Sequence, residues 1–207
     1  MAKRHLIPIE RLPLVGGSLC LDFVNTTGAR QDAEPRERLA SYLDLMVFCR
    51  RSKLFDETRA GDLRREARKR PVAARQALSQ AIALREALYR IFRAAATRGA
   101  VAKSDLARFN TEWAKTHRDR QLVWTRGRPR WNWATRPTDL AQMIAPILFA
   151  AAELLDSTDL NAVKQCGECD WLFVDTTKNH SRRWCKAACG DRVKARRYYR
   201  RHKSNKE

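Results

Sequence analysis

The sequence predicts a mainly α (α+β) protein: a helical amino-terminal domain with a β-hairpin over residues 1–157, then a small treble-clef-like module over residues 158–207. Three observations predict it. Apolar residues recur at helical period through most of residues 36–155. One stretch, residues 121–133, alternates instead. Four cysteines in two close pairs, Cys166 with Cys169 and Cys185 with Cys189, stand near the carboxy end. A hydrophobic fraction of 44% in 207 residues suffices for one medium domain and one small module.

The first distinctive segment is LVGGSLCLDFVNTT, residues 14–27. After the Gly16-Gly17 break, Leu19, Cys20, Phe23 and Val24 share a helical face; alternation of Leu19, Leu21 and Phe23 also permits a strand, and the helix is preferred. Residues 36–54 read as an amphipathic helix with Leu39, Leu43, Met46 and Val47 inward. Residues 56–70 form a polar helix that Pro71 interrupts. Pro71 then suits the first turn of a long helix to about Thr97, burying Leu78, Ile82, Leu88, Ile91 and Phe92, with Gly99 ending it. Ser104 caps a helix through Trp113, with Leu106 and Phe109 inward.

The period changes in QLVWTRGRPRWNW, where Leu122 and Trp124 lead into a Gly127-Arg128-Pro129 turn and Trp131 and Trp133 follow it, giving a β-hairpin. Its tryptophans suit cross-strand packing better than an aromatic cage. Thr138 caps a strongly apolar helix over residues 139–155, the expected centre of the core, in which Pro146 makes a kink or a break. Residues 157–165 lack the Gly/Ser-rich composition of a long flexible linker, so the two parts should pack together.

Cys166 and Cys169 are spaced C-x2-C and Cys185 and Cys189 C-x3-C, with a hairpin-length segment between. Such pairs can fold back to place four thiolates around one structural Zn²⁺, leaving no open coordination position. The first pair sits on a knuckle eased by Gly167, and the second shares a face at the start of a helix. Knuckle, hairpin and helix make a treble-clef-like zinc finger, whose metal replaces a core too small to form alone. His180 lies between the pairs, but the four thiolates complete the shell, which leaves it as a loop residue or a phosphate-side donor. Cys20 and Cys49 are isolated among apolar residues and read as buried.

Charge points to a polyanionic partner. The 42 Lys and Arg against 23 Asp and Glu give a net charge of +19. Arg182, Arg183, Lys186 and Arg192 stand close enough in sequence to offset the thiolates. Beyond them, Trp184, Ala188, Ala195, Tyr198 and Tyr199 line one helical stripe; Arg192, Arg196, Arg200 and Lys203 line another; Lys194, Arg197 and Arg201 occupy a third sector. Such a helix docks by its apolar seam and presents cations to phosphates. Arg182, Arg183, Arg192 and Arg196 are the candidate base readers, because arginine can pair bidentately with guanine.

The run WLFVDTTKNHSRRWCKAACGDRVK resembles the CGNR zinc finger family through its cysteine pairs, the F-x-D-T element (Phe173, Asp175, Thr176), S-R-R-W-C and C-G-x-R-x-K. Asp191 stands where the family name expects Asn; an Asp there would repel a phosphate backbone and accept from donors such as a cytosine amino group. The G-G-x-L-x-L-D-F-V-N-T run resembles the ABATE domain that accompanies this finger. The resemblance implies a bacterial transcription regulator.

Asp22, Asn25 and Thr26 are polar residues inside an apolar segment. They either line a pocket for a small-molecule effector, or cap helix ends and bridge backbone. The amino-terminal domain would then sense a ligand or form a homodimer. No catalytic or nucleotide-binding motif stands out, so the expectation is a binding protein and not an enzyme, with DNA the preferred partner; the alternatives are an RNA-binding protein, or a small-molecule-binding protein or enzyme whose zinc finger is purely structural. The sequence shows neither a signal peptide nor a run of membrane-spanning length, and the expected location is the cytoplasm, at the nucleoid if DNA is bound. Thiols stay reduced there, so the paired cysteines read as metal ligands rather than disulfides.

Overall fold

The computed structural model describes residues 7–30, 32–116, 120–133 and 139–203, without the side chains of Trp133 and Lys203. The described residues are mostly helical, with three two-stranded antiparallel ribbons. A 3₁₀ turn at Ile9–Arg11 leads to α1 (Leu19–Val24), so residues 14–27 resolve as a helix followed by a short strand, β1 (Thr27–Gly28). Strand β1 pairs with β2 (Arg36–Glu37).

Helix α2 (Tyr42–Arg51) starts later than its periodicity suggested. Ser41 and Asp44 form a reciprocal capping box that fixes the start. The face that meets the core is Tyr42, Leu45, Met46, Phe48 and Cys49, which are buried, while Leu43 is exposed. Helix α3 (Glu57–Lys69), capped by Asp56, and α4 (Pro71–Thr97) follow. Arg98 takes the left-handed position that ends α4 (φ 54°), with Gly99 N–H donating to the Ala94 carbonyl. Helix α5 (Lys103–Thr116) begins one residue before Ser104, buries Phe109 and leaves Leu106 exposed.

Strands β3 (Arg120–Thr125) and β4 (Arg128–Trp133) form the expected hairpin. Its two-residue turn is Arg126-Gly127, one position earlier than the sequence suggested, because both residues adopt positive φ (52° and 72°) and so match the twist of the strands. Leu122 faces Trp131 and Trp124 faces Pro129 in the register. Helix α6 (Ile144–Asp156) begins five residues after Asp139, which places Pro146 in its first turn, where no interior hydrogen bond is lost. The expected cap Thr138 lies outside the described residues.

The hub is α4 rather than α6. It packs against α1, α2, α3, α5, β5 (Val163–Gln165) and β6 (Leu172–Val174). Ala74, Ala77, Ala81 and Ala87 let neighbours approach on one side, while Leu84, Leu88 and Phe92 fill the space between them. A 3₁₀ segment at Thr158–Ala162 connects α6 to β5. The core runs without a break from Ile9 through Phe173 to Cys185 and Cys189, so the finger is packed onto the helical domain.

Candidate metal centre and the helix it anchors

Strands β5 and β6 form a hairpin whose turn carries Cys166 and Cys169. The Cys166 N–H donates to the Trp171 carbonyl at 2.7 Å, closing the knuckle. Asp170, at φ 63°, takes its left-handed position, so Gly167 does not ease the turn by backbone freedom. Gly167 instead makes room: a Cβ there would lie 2.9 Å from Cζ3 of Trp184. Gly190 serves the same ring from the other side, since its Cβ would lie 2.9 Å from Cδ1. Trp184 is thus wedged between the knuckle and helix α7 (Ala187–Lys203).

Cys185 precedes α7 and Cys189 lies in its first turn, a correction to the reading that both are helical. The Sγ separations are 3.5 Å for Cys169–Cys185, 3.6 Å for Cys185–Cys189 and 3.7 Å for Cys169–Cys189. All four sulfurs, Cys166 included, lie within 4.8 Å of one another. A tetrahedron with Zn–S near 2.3 Å has edges of about 3.8 Å, so the cluster has the size of a closed four-thiolate shell. The site holds one structural Zn²⁺.

Arg192 offsets the thiolates directly, with Nη2 3.0 Å from Cys189 Sγ and Nε 3.0 Å from Glu168 Oε1. Arg196 pairs with the same buried Glu168. These two candidate base readers are therefore engaged inside the finger. Arg182 donates through its backbone N–H to Asp175 and through Nη2 to the Cys185 carbonyl, while Arg183 lies over the Trp184 ring at 5.4 Å. His180 is a loop residue whose Nδ1 meets the Asp175 carbonyl at 2.6 Å.

Beyond Val193, α7 leaves the molecule. Lys194, Ala195, Arg196, Arg197, Tyr198, Tyr199, Arg200 and Arg201 are all exposed. Of the expected apolar seam only Trp184 docks on this chain; Tyr198 and Tyr199, farther along, keep 58% and 72% of their surface. The rings instead contact each other edge to face at 5.8 Å.

Asp22, Asn25 and Thr26 hold the two modules and their segments together. Asn25, fully buried, donates to the Leu172 carbonyl at 2.8 Å and accepts from the Leu172 N–H at 2.9 Å, tying the end of α1 to β6. Thr26 accepts from Arg85 and donates to the Phe23 carbonyl. Asp22 accepts from the Gly16 N–H at 2.7 Å.

Burial raises the Asp22 carboxyl to about 6, against the hydrogen bond from Gly16. A raised carboxyl value means that folding takes up a proton, so this group's contribution to stability falls as pH rises from about 4 to about 6 and is constant above. Asp22→Asn should abolish that part of the pH dependence. Melting temperatures of both proteins across the window check it: a constant difference between them would contradict the assignment.

Two further polar centres have roles that the sequence reading did not assign. Arg85, 2% exposed, pairs with Glu37 at 2.6 Å and Glu86 at 2.8 Å. Its signal was an arginine on the buried face of α4 with a glutamate beside it. Asp175, fully buried, accepts from Lys164 Nζ, Thr177 and the Arg182 N–H, and so fixes the loop that leads to Cys185.

Among the described residues, no helix is long and apolar enough to cross a membrane. No curated protein matches the chain. Residues 17–158, more than half of the sequence, match the model of the ABATE family, described as "Putative stress-induced transcription regulator", and residues 163–202 match the CGNR zinc finger. The chain belongs to the ABATE family, and its carboxy-terminal module is a CGNR zinc finger, a combination that marks a regulator.

Proposed function

We propose that the protein is a zinc-dependent, DNA-binding transcription regulator, cytoplasmic and nucleoid-associated, and not an enzyme. The observation that carries this reading is the outer half of α7, a cationic helix fixed at its root by four cysteines and by the pairs of Arg192 and Arg196 with Glu168, and exposed from Lys194 to His202. A 17-residue helix spans about 25 Å, long enough to reach along several phosphates.

Lys194, Arg197 and Arg200 have no carboxylate partner among the described residues, and they supply the phosphate contacts together with Arg201. Arg182 and Arg183 flank the root of the helix and remain the candidates for base contacts. Arg192 and Arg196, clamped on Glu168, orient the helix and contribute field rather than base contacts. The zinc shell is closed and positions the helix without taking part in chemistry.

Replacing Arg197 and Arg200 with Ala should weaken binding to every duplex and reduce the slope of log K against log salt by about 2. Titration of duplex DNA at several salt concentrations measures this, and an unchanged slope removes both residues from the interface. The exposed Tyr198 and Tyr199 favour a second reading, stacking on unpaired RNA bases. Tighter binding to single-stranded RNA than to duplex DNA in the same titration would establish that reading instead.

A further inference from the structure

A cleft of about 300 Å³ lies where the amino-terminal domain meets the finger. Arg36 and Arg38 line it from the segment after β1, and Trp171 and Lys186 from the finger. Its charges divide unevenly. Glu168 is taken by Arg192 and Arg196, and Asp170 lies within the field of Arg30 and Arg93. Asp32 also lines the cleft, yet Arg36, Arg38 and Lys186 have no carboxylate within ion-pair distance among the described residues.

Three cations thus line the cleft, and two of them flank one indole. The Arg38 guanidinium stands 5.6 Å and the Lys186 ammonium 5.3 Å from the Trp171 ring centroid. Arg38 is 8% exposed and held from behind by the carbonyls of Ile7, Thr26 and Arg36, through Nε and Nη1. Its Nη2 has no hydrogen-bond partner among the described residues. Burial, and then the charge of Arg36, disfavour the charged form of Arg38 and outweigh Glu37 and Cys169, which favour it. A buried guanidinium with one free edge, beside two more cations in a cleft, has the chemistry of a receptor for an oxyanion. Gly28 keeps the floor open: a Cβ there would lie 3.0 Å from the Trp171 Nε1 that donates to the Thr27 carbonyl.

We propose that this cleft is an effector site for a small anion, a carboxylate or phosphate gripped by Arg36 and Arg38 from the domain and Lys186 from the finger. Because the ligand bridges both modules, its binding stiffens the seat of α7. Binding does not depend on the DNA reading; only the regulatory consequence rests on it.

The test is calorimetric titration of the full-length, zinc-loaded protein with inorganic phosphate at constant ionic strength. Saturable one-to-one binding is expected, weakened about tenfold by Arg36→Gln and again by Lys186→Gln, as the loss of one charge-assisted hydrogen bond implies. Arg75→Gln, an exposed residue of α4 that does not line the cleft, should bind phosphate as the wild type does. Absence of saturable binding, or equal affinity in Arg36→Gln, would overturn the proposal. Zinc content measured in Lys186→Gln should stay at one per chain; loss of zinc would assign the lysine to the thiolates and overturn its role. Duplex binding by Arg36→Gln in phosphate-free buffer should match the wild type, and a fall like that of the α7 variants would make the cleft a DNA contact instead.

Discussion

Cys185→Ser should remove the zinc and lower the melting temperature of the entire chain, not of the finger alone. The ligand set cannot close with three thiolates, and structural zinc in isolated fingers contributes about 10–16 kcal/mol of apparent folding energy. The sequence suggests that residues before about 157 would stay folded as before. The packing argues otherwise. Leu172 and Phe173 are fully buried and Val174 is 7% exposed, within the same core as α1 and α4. Their burial stabilises by about 1.5–3 kcal/mol each, so undocking them costs about 5 kcal/mol or more. In a chain of this size that corresponds to about 10 °C or more. Atomic emission and circular dichroism on the variant measure both effects. Retained zinc would remove Cys185 from the ligand set; lost zinc with an unchanged melt would show that the domain stands without its finger.

The zinc centre was legible because its geometry follows from covalent spacing: two close pairs of one ligand type admit few arrangements. The long helix α4 was legible for a similar reason, since Pro71 and the run to Thr97 set its ends locally. What escaped is what depends on partners distant in sequence. Leu43 belongs to the apolar period of its segment, yet the face that packs on the core is that of Tyr42, Leu45, Met46 and Cys49, which leaves Leu43 in solvent. The seam of α7 reads as a docking face, but the zinc root points the helix away from the core, and period alone carries no direction.

Asn25 shows the same limit from the other side. A polar residue in an apolar run admits a ligand or a backbone bridge, and only the arrival of Leu172, 147 positions later, decides between them. That bridge also explains why the link between the modules can be short. The finger is held by hydrogen bonds and buried side chains as well as by its connection, so the direction of α7 is set relative to the helical domain.

Asp175→Asn should be strongly damaging although it leaves every metal ligand in place. Both carboxylate oxygens accept from donors: Oδ1 from the Thr177 N–H and hydroxyl, Oδ2 from Lys164 Nζ and the Arg182 N–H, each at 2.7–3.1 Å. An amide must turn its NH₂ toward one of these donor pairs, and it leaves Lys164 without its counter-ion. Breaking a buried charge pair costs about 3–5 kcal/mol, here about 6–20 °C of melting temperature. Because Arg182 also holds the Cys185 carbonyl, zinc affinity should fall as well, by about tenfold, as for other residues that orient metal ligands from outside. Burial alone would raise the Asp175 carboxyl, but Lys164, Thr177 and the Arg182 N–H outweigh it and hold the group well below the usual carboxylate range. Its stabilisation is therefore complete above the ordinary carboxylate value and fades as pH falls through the lower folded value. The gap between wild type and variant should stay constant from about pH 5 to 8 and narrow in stronger acid. Chelator competition measures the zinc affinity and melting curves the gap; a variant equal to wild type in both would show that the loop before Cys185 is held by the metal alone.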